Sequence, residues 1–250
     1  MTAPILRPLS MGEVLDTAFG LYRNQFVALV TIAAVLQILP GLLGVYLEVT
    51  GLSTTNLGLM LLVLFIGFVF SSIAVAASTF VISGAYLGRQ VTAGEAIPRA
   101  LAFLLPLMVL SALSGLLITV GFLLLIIPGF IAIAGLALAN AALVIETPIS
   151  PMDAMRRSWE LTKGARGKVM TTIFVGSLLL VIPMIVVSVI GVIGSALGLW
   201  PIWISPVLTL ALRIFVYPFV YVVVVVLYYD MRVRKEGFDL ELMASATGTG

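Results

Sequence analysis

Side chains that commonly do chemistry are scarce in this sequence, and the missing types exclude whole classes of active site. The 250 residues include no histidine and no cysteine, so the usual general base, the imidazole and thiolate metal ligands and the cysteine nucleophile are absent. Among the 11 acidic residues, Glu146 and Asp153 come nearest to a pair, and a helix end and a capping acid explain them more simply. We therefore predict no catalytic residue, no metal or cofactor site, and no enzyme activity.

Three polar side chains interrupt stretches that are otherwise apolar, and they form the candidate intramembrane site: Gln37, Asn140 and Arg213. Arg213 is expected about 10 Å into the last helix, at a rise of about 1.5 Å per residue. An ionisable group inside a membrane is a candidate for contact with a substrate or ion, although the long arginine stem can also reach the headgroups. For Gln37 and Asn140, hydrogen bonds between helices are one explanation and a polar path across the membrane is the other.

The composition places these residues in a membrane protein. Hydrophobic residues make up 62% of the chain, charged residues 10%, and the mean hydropathy is +1.24, whereas soluble domains have about 45–50% apolar and about 25% charged residues. Charges are absent from four long runs, and a membrane-spanning helix needs about 20 apolar residues. The runs predict an all-α, polytopic membrane protein with six transmembrane helices: about 25–47, 57–87, two within 100–145 that are broken at Pro128-Gly129, 169–197 and 206–229.

The positions of lysine and arginine predict the orientation. Twelve of the 13 cations fall on one side of the predicted helices. The turns on the other side, near 48–56, 127–129 and 198–205, contain none. Because cytoplasmic loops carry the excess of lysine and arginine, we expect both termini to be cytoplasmic.

A related pattern occurs three times, each time ahead of two predicted membrane helices. A hydroxyl residue is followed three positions later by an acid and then by an apolar pair, in the stretches SMGEVLDTAF from Ser10, TAGEAIPRAL from Thr92 and SPMDAMRRSW from Ser150. The hydroxyl and the acid together form a capping box at a helix start. Each stretch therefore predicts a short cytoplasmic helix that lies along the membrane interface before a hairpin of two spans.

The threefold pattern predicts an internal repeat, with units at about 10–91, 92–149 and 150–230. The units form one integral membrane domain of residues 1–240, and residues 241–250 are expected to be a disordered cytoplasmic tail. The alternative is that three unrelated helices each need a cap, and that the similarity of the three stretches is coincidental.

A basic segment lies between the fourth and fifth predicted membrane helices. It combines one acid, Glu160, with five cations: Arg156, Arg157, Lys163, Arg166 and Lys168. Attraction of basic residues to anionic lipid is worth about 1 kcal/mol each near the surface, so we expect these side chains to contact lipid headgroups. The alternative is that the cations only set the topology. Nucleic acid is not an expected partner, because membrane helices flank the segment on both sides.

Three stretches carry a resemblance to a known family: LRPLSMGEVLDTAFGLYRNQF, IPGFIAIAGLALANAALVIETPISPMDAMRRSWELTKG and YYDMRVRKEGFDLELMA. They resemble the membrane-spanning domain family named after glycerophosphoryl diester phosphodiesterases, over about residues 5–245. The resemblance implies a multi-pass domain of the bacterial plasma (inner) membrane, fused in some members to a soluble phosphodiesterase barrel and standing alone in others. The barrel depends on a histidine pair and metal-binding acids. Since this chain has no histidine, the resemblance transfers no catalytic residue.

The sequence favours the first of two functions and keeps the second as the alternative. The first is a non-enzymatic protein that organises the cytoplasmic face, with anionic membrane lipids, another protein or a second copy of the chain as partner. The second is a small transporter or permease for a lipid-related or amphipathic solute, which would use the proline-kinked helices, Asn140 and Arg213. Polar residues that converge on one cavity near mid-membrane favour transport, whereas a filled bundle with a flat basic inner face favours the organising role.

Overall fold

The computed structural model describes residues 7–237, except for the side chains of residues 53, 54, 179 and 180. Within this range the chain is all-helical. Its helices are α1 (Met11–Asn24), α2 (Phe26–Val49), α3 (Leu52–Thr55), α4 (Leu57–Tyr86), α5 (Ala93–Leu101), α6 (Leu104–Leu124), α7 (Ile126–Leu136), α8 (Ala139–Ile145), α9 (Pro151–Thr162), α10 (Arg166–Ala196) and α11 (Ile204–Glu236). The predicted tail, 241–250, lies outside the described residues.

Six segments of the described chain are long and apolar enough to cross a membrane, which confirms the predicted number: α2, α4, α6, α7 together with α8, α10, and α11. The chain is therefore a multi-pass membrane protein. Consecutive spans pack together, α2 against α4, α6 against α7 and α10 against α11, and α11 also contacts α2 and α4. The last helix is longer than predicted. It begins at Ile204 and continues to Glu236, where ion pairs hold its charged last turns.

The turn between the third and fourth spans lies at Leu125, ahead of the predicted break at Pro128-Gly129. Leu125 has an extended backbone (φ −166°, ψ 156°), and α7 starts directly after it. Pro128 lies in the first turn of α7, where its missing N–H costs no hydrogen bond because these N–H groups have no partner within the helix. The turn is tight, since a Cβ at Gly121 would lie 3.0 Å from the Cα of Gly129. The predicted break was wrong because proline was taken to end a helix.

The three predicted helix starts all carry the predicted N-cap. At α1 the capping box is complete: the Ser10 hydroxyl accepts from the Glu13 N–H at 3.3 Å, and the Glu13 carboxylate accepts from the Ser10 N–H at 2.7 Å. At the other two starts the cap hydroxyl accepts from the N–H three residues on, Thr92 from Glu95 and Ser150 from Asp153. The local spacing of hydroxyl and acid therefore locates α1, α5 and α9 correctly.

These three short helices pack against the bundle by their apolar faces. α1 contacts α11 and α10, α5 contacts α4, and α9 contacts α8, α6 and α7. Val14 and Ala18 of α1, Ala96 of α5 and Ala154 of α9 are fully buried in these contacts. Their placement at a membrane interface, the hairpin arrangement and the cytoplasmic orientation stay predictions.

α9 inserts a serine into a break in the fourth span. α7 ends at Leu136 and α8 begins at Ala139. At the break the buried Ser158 hydroxyl donates to the carbonyl oxygen of Gly135 at 2.7 Å and accepts from the N–H of Leu138 at 3.1 Å. A Cβ at Gly135 would collide with the Trp159 ring, so glycine is needed for this close approach. The hydroxyl thus replaces hydrogen bonds that a continuous helix would make.

The packed core occupies the half of the bundle next to α1, α5 and α9, which we call the polar end. α11 is mostly buried from Pro218 to Val233, and α4 is mostly buried from Ser72 to Tyr86. Tyr229 stacks on Tyr86 with the ring centroids 4.6 Å apart. In the opposite half, which we call the open half, a cavity separates α2, α4, α10 and α11.

The serine at the break predicts a specific stability loss. We expect Ser158→Ala to lower the free energy of unfolding by about 1–3 kcal/mol, because the buried Leu138 N–H loses its partner. Thermal unfolding in detergent micelles measures this loss. Ser114→Ala is the matched control, since the Ser114 hydroxyl is buried without a hydrogen-bond partner among the described residues and its removal is expected to cost little. Equal losses in the two variants would contradict the account.

The capping box predicts that α1 loosens in acid. Hydrogen bonds from the backbone N–H and hydroxyl of Ser10, together with Arg7, lower the pKa of Glu13 from 4.5 to about 2. The box is therefore intact above pH 4.5 and is lost as the pH falls towards 2. Hydrogen exchange of the α1 amides, corrected for intrinsic rates, is expected to rise over that range. Glu13→Gln should remove this response, and Asp16→Asn, on an exposed face of the same helix, should keep it; the reverse result refutes the capping role.

Candidate ligand site

A cavity of about 700 Å³ lies in the open half, between α2, α4, α10 and α11. Sites for small molecules typically measure about 300–1,000 Å³. On α2 the lining extends from Ala33 to Glu48, about 22 Å at the helical rise. The cavity therefore runs along much of the length of membrane-spanning helices and has room for a ligand.

Small side chains keep the cavity open. Its lining includes Gly41, Gly44, Gly67 and Ala74. A Cβ at Gly44 would meet no atom within 4 Å, so the space beside this residue is empty. At Gly41, in contrast, α2 closes on α11, because a Cβ there would collide with Leu210. Gly41 thus permits a close contact between α2 and α11, and Gly44, one turn further along α2, leaves space for a ligand.

Polar side chains recur at every fourth residue of α11 on the side that lines the cavity: Ser205, Thr209, Arg213, Tyr217 and Tyr221. Residues at i and i+4 are neighbours on a helix surface, so these five form one continuous strip, which we call the polar ridge. α4 contributes Ser71 and Ser78 to the same cavity. Within the lining, the Thr209 hydroxyl donates to the Ser205 carbonyl oxygen at 3.0 Å.

Arg213 and Glu48 are the charged residues of the lining. Neither makes an ion pair or a side-chain hydrogen bond with another described residue. Arg213 lies about 14 Å along α11 from Ile204, deeper than predicted because the helix starts earlier. Glu48 is the last but one residue of α2, so the cation lies deeper in the bundle than the acid. A charge within a membrane span is expensive unless water, a ligand or a protein group compensates it.

Two of the three polar residues predicted for an intramembrane site share this cavity, since Gln37 and Arg213 both line it. Asn140 does not line it. Asn140 lies half-buried on α8, which packs against α9, α4 and α6. Sequence reasoning missed the polar ridge and the two α4 serines, although the four-residue spacing on α11 is visible in the sequence.

Asp230 is the centre of a buried charge cluster at the polar end. Its side chain is fully shielded from solvent and forms ion pairs with Lys168 and, at 3.1 Å, with Arg234. It also accepts from the N–H of Leu9 at 2.7 Å, and both cations donate to the Leu9 carbonyl oxygen. The cluster ties the segment before α1 to the start of α10 and the end of α11. Lys168, a predicted headgroup contact, is therefore engaged inside the protein.

Arg157 belongs to a second cluster, which joins α8, α9 and α11. Its guanidinium pairs with Glu146 at 2.8 Å and with Glu236, and Glu146 also accepts from the Tyr228 hydroxyl. Although burial opposes the charged form, hydrogen bonds to Glu236 and Glu146 raise the pKa of Arg157 above its usual value. Arg157 therefore holds three helices together. Glu146 is a partner of this arginine, whereas Asp153 bonds to Ser150 at the start of α9.

The other three predicted headgroup contacts lie outside these two clusters. Arg156 is 80% exposed and pairs with Glu160 on the same helix at 3.1 Å. Lys163 is exposed at the end of α9. Arg166 stacks on Trp159, with the guanidinium carbon 4.2 Å from the ring centroid. A contact of these cations with lipid headgroups stays a prediction.

The lining of the cavity combines polar groups with apolar walls. Its lining presents hydroxyl groups, the Gln37 amide, a guanidinium and a carboxylate between apolar walls, an arrangement that can orient a polar head and bury an apolar body. Residues 7–237 contain no group of three or more acidic side chains placed to hold a metal ion. No protein-family model, no characterised protein and no solved structure matches the chain.

The buried cluster at the polar end predicts a large effect of Asp230→Asn. The substitution leaves Lys168 and Arg234 without their acid, and breaking a buried pair costs about 3–5 kcal/mol. We expect the low end of that range, because both cations keep partial exposure. Glu160→Gln, which breaks the exposed pair with Arg156, is expected to cost less than about 1 kcal/mol. Thermal unfolding of both variants compares the two; a small loss for Asp230→Asn refutes the anchoring role of the cluster.

Proposed function

We propose that this chain is a small non-enzymatic permease of the bacterial plasma membrane, which takes a lipid-related or amphipathic solute into the cavity of the open half. The observation that carries the proposal is the convergence of Gln37, the polar ridge and the α4 serines on one cavity among membrane-spanning helices. In a bundle that only packs its helices, such groups hydrogen-bond from helix to helix. Here they line a space of ligand size.

The two charge clusters favour this function over the organisation of lipids or partner proteins. An organising face needs basic side chains that are free to meet a membrane or a partner. Arg157 and Lys168, two of the five cations in the basic segment, instead pair with acids of the bundle. We therefore assign the cluster at Asp230 to holding the helices together, and not to binding a lipid or a partner protein.

The location and orientation rest on the cations and on the family resemblance. Twelve of 13 cations belong to the side that we assign to the cytoplasm, together with both termini. The polar end then meets the cytoplasmic leaflet, and the cavity runs from Glu48, at the outer end of α2, inward past the middle of that helix to Ala33. The resemblance to the membrane-spanning domain of glycerophosphoryl diester phosphodiesterases supports the bacterial inner membrane and a lipid-related solute.

A second function at the polar end has its own support. Arg156 is 80% exposed, and Arg166 stacks on Trp159 beside it. An aromatic ring next to basic groups suits the interface of a membrane that contains anionic lipids. Headgroup binding there is compatible with a permease in the same chain, and it leaves room for a protein partner or a second copy.

Filling the cavity tests the permease. A Cβ at Gly44 meets no atom within 4 Å, so a phenylalanine introduced there can extend its ring into the cavity. We expect the protein, in phosphatidylcholine nanodiscs, to bind at least one of four amphipaths that share one fluorescent acyl chain and carry a glycerol, phosphocholine, phosphate or trimethylammonium head. Gly44→Phe should weaken this binding by about tenfold or more. In proteoliposomes, translocation of the bound amphipath should fall in parallel.

Gly115→Phe provides the matched control. Gly115 is an exposed residue of α6 that does not line the cavity, and a Cβ there would also meet no atom within 4 Å. This variant should bind and translocate as the parent protein does. Equal losses in the two variants, or no saturable binding of any of the four amphipaths by the parent protein, would overturn the proposed function.

A further inference from the structure

We propose that the ligand of this cavity is an amphipathic anion, an acyl chain with a phosphate or carboxylate head, and that Arg213 binds the head. This inference rests on the proposed function and names the class of solute. It follows from the charge, the hydrogen-bonding groups and the apolar walls that the cavity brings together.

Arg213 needs an anion that the described protein does not supply. It lies about 14 Å along α11, and no described acid is within ion-pair distance of it. Glu48, the one acid of the lining, sits at the end of α2. The cations at the polar end differ from Arg213 in this respect. Arg157 and Lys168, for example, form ion pairs with acids of the bundle. An arginine left without an acid inside a span marks the place for an anionic ligand.

The neighbours of Arg213 on the polar ridge are suited to the same head. Thr209 and Tyr217 lie one turn away on either side and line the cavity with it. Residues at i−4 and i+4 share a face of the helix, so the two hydroxyls and the guanidinium lie beside the same part of the cavity. Arginine offers a planar fork of N–H donors that matches a carboxylate or a phosphate. The Tyr217 hydroxyl can donate to a remaining oxygen, and the Thr209 hydroxyl can do so when it gives up its bond to the Ser205 carbonyl oxygen.

The apolar walls require more than a free anion. Val45, Leu64, Phe68 and Leu210 line the cavity beside the polar groups, and the lining extends about 22 Å along α2. A free phosphate would leave this surface in contact with water, whereas an acyl chain buries it and gains from the apolar contact. The combination of one cation without an ion pair, inside a span, with a long apolar wall therefore selects an anion that carries a chain.

The experiment compares headgroups on one chain and then removes the cation. The parent protein in phosphatidylcholine nanodiscs should bind fluorescent lysophosphatidate about tenfold to a hundredfold tighter than the monoacylglycerol with the same chain, as expected for one charge-assisted contact. Arg213→Gln should abolish the difference by weakening the lysophosphatidate alone. Arg213→Lys keeps the charge and should keep most of the preference. Arg99→Gln, which removes an exposed cation of α5 that does not line the cavity, is the control and should leave the preference unchanged.

Competition separates a lipid head from a free phosphate. Unlabelled lysophosphatidate should displace the probe, and glycerol phosphate at the same concentration should not. Equal displacement by both would show a site for free phosphate and overturn the inference, as would equal affinity for the neutral and anionic probes or a preference that survives Arg213→Gln. In these cases the proposed function still stands if at least one amphipath binds and Gly44→Phe blocks its binding. Failure of the inference about Arg213 can therefore be distinguished from failure of the proposed function.

Discussion

A charge that is withdrawn from water needs a partner, and this requirement explains how one half of the bundle is held. The buried Asp230 is satisfied by Lys168, Arg234 and the N–H of Leu9, and Arg157 is held between Glu146 and Glu236. Because removing one member of a buried pair costs far more than the pair contributes, these contacts lock the segment before α1, the start of α10 and the end of α11 in one arrangement. The tight core of α4 and α11 builds on that arrangement.

The open half follows a different rule. At Gly44 no neighbouring side chain fills the space, and Arg213 of the polar ridge faces the cavity without an ion pair to a described residue. Packing at the polar end provides a rigid support, while the unfilled region is where binding can occur. Functional sites commonly sit on a scaffold whose stability comes from elsewhere in the fold.

Features that depend on neighbouring residues could be predicted from the sequence. Charge-free runs predicted six spans, and the spacing of Ser10 and Glu13 predicted the start of α1, because both signals are local. Contacts between distant residues could not be predicted: Asp230 bonds to Leu9 across 221 positions, and the break before α8 depends on Ser158. For the site, Gln37 and Arg213 were predicted as polar residues of the membrane. Their convergence on one cavity depends on how four helices pack, which no local pattern encodes.

Access of water to the cavity is the most direct test of the central claim that a ligand site lies within the membrane. Because the chain has no cysteine, a single substitution introduces one reactive thiol. Ser71→Cys places it in the cavity lining, and Phe65→Cys places it at an exposed position of α4 that does not line the cavity and lies nearer the helix start. In native membranes, a water-soluble maleimide is predicted to label Ser71→Cys and to spare Phe65→Cys. An unreactive thiol at Ser71→Cys, or equal labelling at both positions, would contradict the account.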